Sequence, residues 1–385
     1  MRSIDALDPD SGVRLAGILD AEPTGSGFRL RRLPEWTRRQ ILDPALSFVA
    51  TMPSGARLDM TTDTAVIEVD ALLTMLQVGD QALRPAVFEL VIDGEVAGQK
   101  SFAEGRILRM DPATQAVSVE RGPAVTIRFE GLPAGTKHIE LWLAQGASFE
   151  LRDVRVDDAA LVGPPPPMAG PRWVHYGSSI SHCVEADGPT GTWPAVAARL
   201  AGADLTSLGL AGQCQLDQWV ARTIRDLDVD LISLKLGINV VNGDTMRERT
   251  FLSAVQGFLD TVRDGHPDTP LVVVTPIICP VAEDHPGPTL QGPAGAVFVR
   301  ERPVELSLGA LTLSRIRRLL GDVVGSRQAT GDSNLHLMDG LALFGPEDLD
   351  DLPDGLHPNS AGYRRMGERF HAMAFGRGGP FAPAS

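Results

Sequence analysis

The chain has 385 residues, 43% of them apolar and 22% charged, a composition that excludes disordered and fibrous classes. Its net charge is −14 and only 5% of its residues are aromatic, so it lacks the basic footprint and the stacking surface of a nucleic-acid binder. Three cysteines, Cys183, Cys214 and Cys279, form no disulfide framework, and no apolar run approaches the about 18 residues of a membrane span.

Near the N-terminus, acidic residues stand where a signal peptide needs an apolar stretch. A cytoplasmic location, with no membrane and no nucleic-acid partner, is the expectation. The densest basic cluster, Arg29, Arg31, Arg32, Arg38 and Arg39, is interleaved with Leu30, Leu33 and Trp36 and reads as a solvated edge around a strand end. Beyond it the pattern has period two. Val66 to Ala71, Ile139 to Leu143 and Phe149 to Val156 alternate, and Val125 to Phe129 is a further strand. Val87 to Ile92 is an apolar strand ending in Asp93-Gly94, the signal of a tight hairpin. Many short strands without a long helical pattern predict a β-sandwich over residues 1–163. Residues 164–171 contain Pro164 to Pro167 and Pro171 and read as a short, stiff linker.

Residues 172–385 alternate strands with helices. Strands are predicted at Trp173–Tyr176, Asp204–Leu208, Leu231–Leu236, Leu271–Thr275 and Leu335–Met338. Helices are predicted at Trp193–Leu200, Met246–Val262 and Val304–Leu320, with a last one capped by Asn359 or Ser360. Such alternation gives an α/β fold, a parallel sheet with helices on both faces, whose ligands bind beyond the carboxyl ends of the strands. The chemistry is therefore expected just after Tyr176, Leu208, Leu236, Thr275 and Met338.

Four of those places hold the residue types of serine acyl transfer. They are Gly177-Ser178-Ser179, Gly209-Leu210-Ala211-Gly212, Gly237-Ile238-Asn239 and Asp354-Gly355-Leu356-His357. A serine hydroxyl needs a base to take its proton, and His357 titrates in the right range. Asp354 can accept the other ring N–H and fix the tautomer. The backbone N–H groups of Ser179 and Gly212 and the Asn239 amide are candidate donors to an oxyanion. Ser178 and Ser181 are rival nucleophiles. Gly209 and Gly212 alone could also mark a phosphate cradle, but no G-x-G-x-x-G follows the first strand. His175, His182, Cys183, Glu185 and Asp187 invite a metal reading without matching a zinc spacing. The three cysteines read as small pocket-lining thiols, and His182 and Trp193 as acyl-pocket walls or as packing.

The four blocks, with Ser179, Gly212, Asn239 and His357 in order, resemble the SGNH subgroup of GDSL esterases and acyltransferases. That resemblance covers about residues 171–375 and implies a flavodoxin-like, three-layer α/β/α domain with a Ser179–His357–Asp354 triad and no cofactor or metal. Three positions depart from the family pattern: Ser178 and Val240 replace acids, and Ser207 replaces an asparagine. By architecture the N-terminal sandwich resembles a carbohydrate-binding module. Family members of this layout imply a small-molecule acyl donor, such as an acyl-CoA, and the hydroxyl of a natural product such as a polyketide as acceptor. Hydrolysis of an ester, with water as acceptor, is the alternative, and a non-catalytic carbohydrate-binding protein a distant one. The oligomeric state is not legible.

Overall fold

A computed structural model describes residues 1–111, 114, 116–292 and 295–382. They group into two compact units. The first is Met1–Met168 together with Asp187–Thr190, and the second is Ala169–Ala186 with Gly191–Ser385.

The first unit is strand-rich, with one sheet of eight strands and another of six. In the larger sheet the long strand Val66–Val78 pairs antiparallel with Ala147–Val156 and with Val125–Glu130. Alternate side chains Ile67, Val69 and Ala71 point inward, as period two requires. In the smaller sheet, Lys137–Trp142 lies between Arg57–Thr62 and Ala86–Ile92. Phe88 of one sheet and Phe149 of the other bring their rings to 5.9 Å, so the apolar core lies between the two sheets. Asp93 and Gly94 both take positive φ, 50° and 88°, and turn Ala86–Ile92 into Glu95–Phe102. The arginine cluster departs from expectation. Arg31 and Arg32 are buried, and Arg32 donates to the Val49 carbonyl at 3.1 Å. Arg38 instead pairs with Asp20. Short arginine-bearing strands pack their stems inward and hand the charge to local acids and carbonyls, a pattern that charge counting along the sequence does not reveal.

The second unit is built on a five-stranded parallel sheet: β1 (Arg172–Gly177), β2 (Asp204–Gly209), β3 (Leu231–Lys235), β4 (Leu271–Val274) and β5 (Leu335–Met338). Their order in space is β2-β1-β3-β4-β5, the flavodoxin-like arrangement. β1, β3 and β4 are buried almost throughout, as expected when helices cover both faces, while at the edge strand β5 His336 and Leu337 reach the surface. Helices run at Trp193–Ala201, Gln218–Asp226, Glu248–Gly265, Leu313–Ala329 and Ser360–Phe370. The last is capped by Asn359, whose Oδ1 accepts the Gly362 N–H at 2.9 Å.

One helix is corrected. The apolar spacing predicts a single helix over Val304–Leu320, but the chain forms only a turn at Val304–Ser307 and starts again at Leu313. Gly309 takes φ +70°, and the Thr312 hydroxyl caps the new start by accepting the Arg315 N–H at 3.2 Å. Val304, Leu306 and Leu308, the apolar residues at the start of the apparent helix, are exposed. Among the described residues no helix is long and apolar enough to cross a membrane.

Candidate active site

The first candidate segment leaves β1 at its carboxyl end. Ser178 is fully buried, and its hydroxyl accepts the Ile180 N–H at 3.3 Å, capping a four-residue helix, Ser179–His182. This explains the first departure from the family pattern: a serine caps a helix much as an acid does. Within 173–183, Ser179 is the single residue that reaches the surface in part; every other one is buried. Gly209, at the end of β2, comes so close to this helix that a Cβ would lie 2.6 Å from the His182 nitrogen. Only glycine lets the second strand end pack there.

The fourth segment carries Asp354 and His357. Asp354 Oδ1 accepts the backbone N–H groups of Leu356 at 2.8 Å and His357 at 2.7 Å. This aspartate turn, with Gly355 at φ +81°, aims the His357 ring back at its own carboxylate. Oδ2 then lies 2.7 Å from His357 Nδ1. A carboxylate only accepts, so Nδ1 carries the proton and Nε2 presents its lone pair. Nε2 is 2.9 Å from Ser179 Oγ. Burial pushes the Asp354 carboxyl up, but hydrogen bonds and charge from His357, with the Leu356 N–H, outweigh it and hold the group below the ordinary carboxylate range. Ser179, His357 and Asp354 thus form a continuous hydrogen-bonded series.

Gly212 and Asn239 lie in the segments that follow the second and third strands. The Ala211 N–H donates to His182 Nδ1 at 3.4 Å, which lays the second loop against the Ser179 helix. Gly212 takes φ +72°, and nothing lies within 4 Å of where its Cβ would be, so backbone conformation rather than space selects glycine. Asn239 is buried at the start of Ile238–Gly243, and its Oδ1 accepts the Cys214 N–H at 2.9 Å. That donor fixes the amide: the oxygen faces Cys214, and the NH2 end is turned away from it.

Residues 175–365 match the profile of the GDSL-like lipase/acylhydrolase family. The second unit is a GDSL-like lipase/acylhydrolase domain. The protein is accordingly an enzyme of the acyltransferase and esterase class. Among solved structures it is similar to a salicylyl-acyltransferase, SsfX3, from a tetracycline biosynthetic pathway, with 26% identity over 96% of this chain and 95% of that one and a TM-score of 0.79. A family two carbohydrate esterase from Clostridium thermocellum is 15% identical over 95% of this chain and 98% of that one, with a TM-score of 0.61. An acetyl xylan esterase from Butyrivibrio proteoclasticus is 12% identical over 97% and 98%, with a TM-score of 0.52. For these two the likeness is one of fold. No curated protein sequence matches the chain.

The GDSL-like domain holds a second serine–histidine pair. Ser181 Oγ lies 2.8 Å from His175 Nε2, and His175 Nδ1 lies 2.7 Å from the Ser233 hydroxyl. Both members are fully buried, and the ring's other partner is a hydroxyl, not a carboxylate. Burial, with the nearby charge of Lys235, pushes His175 down to about 3, so the ring stays neutral. It lacks the access and the acid of a catalytic pair. The cysteines are Cys183, Cys214 and Cys279. All three are buried, and their thiols donate to carbonyls: Cys183 to Ile180, Cys214 to Lys235 and Cys279 to Gly355. Burial pushes Cys214 and Cys279 up to about 12, far from a nucleophilic thiolate. His182 and Trp193 are also fully buried, and Trp193 packs against Trp173, His175 and Phe370. Among the described residues no group of three or more His, Cys, Asp or Glu is arranged to hold a metal ion. Glu185, considered above only for metal, lies 4.0 Å from His357 Nδ1. Spacing gave no hint of this, because 172 residues separate the two.

Proposed function

We propose that the protein transfers an acyl group through an acyl-Ser179 intermediate, from an activated donor such as an acyl-CoA to a hydroxyl of a small natural product. The reading rests on the Ser179–His357–Asp354 series. His357 Nε2 takes the Ser179 proton as Oγ attacks the donor carbonyl. The tetrahedral oxyanion is met by the Ser179 and Gly212 N–H groups and the Asn239 amide. The Ser179 N–H opens a helix and so has no intrahelical acceptor. Collapse of the tetrahedral species expels the donor's thiol or alcohol, which takes the proton from His357. The acceptor hydroxyl then repeats the sequence in reverse and frees Ser179. Asp354 keeps His357 in the working tautomer and stabilises the imidazolium. Likeness to an acyltransferase along nearly the whole chain favours an alcohol acceptor over water. The acylhydrolase name of the family profile supports the second reading, ester hydrolysis. Product analysis with an acyl-CoA or an aryl ester, with and without an alcohol acceptor, separates the two: transfer gives a new ester, hydrolysis only the free acid.

Two expectations follow from these roles. Asn239→Ala should lower kcat by about 10²–10³-fold with little change in KM, because an oxyanion donor acts on charge that develops after binding. An unchanged kcat would remove Asn239 from the site. The rate should also depend on pH. Asp354 lies below the ordinary carboxylate range and stays ionised from pH 5 to 8, so in this series only His357 changes charge there. Its protonated form cannot accept the Ser179 proton. Hence kcat/KM should fall as pH drops through the imidazole range, about 6.5 for an unperturbed ring. A flat profile over that window, measured with chemistry rate-limiting, would falsify the role of His357 as base.

A further inference from the structure

Glu185 lies just beyond the nucleophile's helix. Its Oε1 is 4.0 Å from His357 Nδ1, the same ring nitrogen that Asp354 Oδ2 holds at 2.7 Å. The other carboxylate oxygen, Oε2, accepts the Tyr363 hydroxyl at 2.9 Å, and the main-chain carbonyl accepts Ser360 Oγ at 3.4 Å. Tyr363 is fully buried, and both partners stand on the helix Ser360–Phe370, which holds the glutamate by its carboxylate and its main chain. The Glu185 side chain is only 18% exposed, and among the described residues no arginine or lysine pairs with it. Around it stand Cys183, Tyr363, Asp354 and His357. Of these only His357 can become a cation.

A largely buried carboxylate without a cation is an unfavourable arrangement in the resting state. It becomes favourable when the neighbouring imidazole takes a proton, which on the acyl-transfer reading happens as Ser179 attacks. An interaction that strengthens on the way to the transition state speeds the reaction; one of equal strength throughout does not. We propose that Glu185 is a second carboxylate for His357, a positioning residue that stabilises the imidazolium beside Asp354 and accepts the Nδ1–H when Asp354 is removed. The second role needs the oxygen to close from 4.0 Å to about the 2.7 Å that Asp354 now holds. The proposal rests on the triad reading above.

The test compares Glu185→Gln, Asp354→Ala, the double variant and Ser179→Ala, all in the full chain with an activated aryl ester. Glutamine keeps the shape and the acceptor for Tyr363 and drops only the charge. Glu185→Gln is expected to lower kcat about 10-fold at unchanged KM and to move the acid limb of kcat/KM to lower pH, because the imidazolium loses a partner. Asp354→Ala should lose only about 10²-fold, against the about 10⁴-fold typical when a triad's acid is lost. The double variant should fall to that deeper level. If Glu185 merely anchors Tyr363, the acid limb stays in place and the double variant matches Asp354→Ala. Either result overturns the proposal. Ser179→Ala separates the two levels of the argument: activity in that variant sinks the triad reading, whereas a dead Ser179→Ala beside a silent Glu185→Gln sinks only the second carboxylate.

Discussion

Ser179→Ala is expected to reduce turnover by on the order of 10⁶-fold and to abolish labelling by a fluorophosphonate, while leaving the unfolding midpoint within a degree or two of the parent. The loss is large because no nearby hydroxyl can replace Oγ. Ser178 Oγ caps the Ile180 N–H and is fully buried; Ser181 Oγ is tied to His175. The two neighbouring alanine variants should behave in the opposite way. Ser178→Ala removes a helix cap, worth about 1 kcal/mol, and should lower stability while labelling persists. Ser181→Ala leaves His175 short of a partner in the core, at a cost of about 1–3 kcal/mol, and should also still label. Mass spectrometry of the labelled peptide reads all three. Retained labelling of Ser179→Ala, with loss in Ser178→Ala, would move the nucleophile by one residue and break the match of the four blocks to the strand ends.

What the sequence made legible is tied to regular patterns. The βα alternation after residue 171 marks all five strands of the parallel sheet to within a residue at each end; the central strands Leu231–Lys235 and Leu271–Val274, buried throughout, are the most apolar of them. Ser179, His357 and Asp354 were legible for a related reason: an open parallel sheet delivers loops to one edge, and residue types of one chemistry stood at several strand ends. The helix Gln218–Asp226 was not. Its buried residues Val220, Ala221, Thr223 and Ile224 do keep helical spacing, but the helix is only nine residues long, shorter than the window in which such a period stands out. The break between Ser307 and Leu313 was hidden by apolar residues that happen to keep helical spacing while facing solvent. Glu185 was hidden by the opposite cause. Its place beside His357 is set by the packing of two distant segments, through Tyr363 and Ser360, and no local pattern encodes such a contact. The His175–Ser181 pair shows the reverse hazard. Two residues of the right types stand six positions apart, and only their burial tells that they hold the core together.

His357→Ala should cost nearly as much as loss of Ser179 itself, on the order of 10⁴–10⁶-fold in kcat, and the double variant Ser179→Ala/His357→Ala should be little worse than either single one. On the proposed mechanism Ser179 and His357 act as one device. Without the imidazole, Oγ keeps its proton and is a poor nucleophile; without Oγ, the imidazole has no proton to take. On the proposed mechanism Asp354, 2.7 Å from Nδ1, is a weaker member, since it would orient the ring and stabilise its charge without exchanging a proton with substrate. The single variants should nonetheless differ in one respect. His357→Ala retains the Ser179 hydroxyl and the oxyanion donors, so a highly activated fluorophosphonate should still label it, slowly and with a rate that rises with pH as hydroxide replaces the lost base. The parent should lose labelling only as the imidazole protonates. Labelling rates from pH 5 to 9 therefore distinguish a missing base from a collapsed site. If His357→Ala labelled as fast as the parent at neutral pH, the 2.9 Å contact between Nε2 and Oγ would be incidental, and the general base would have to be sought elsewhere.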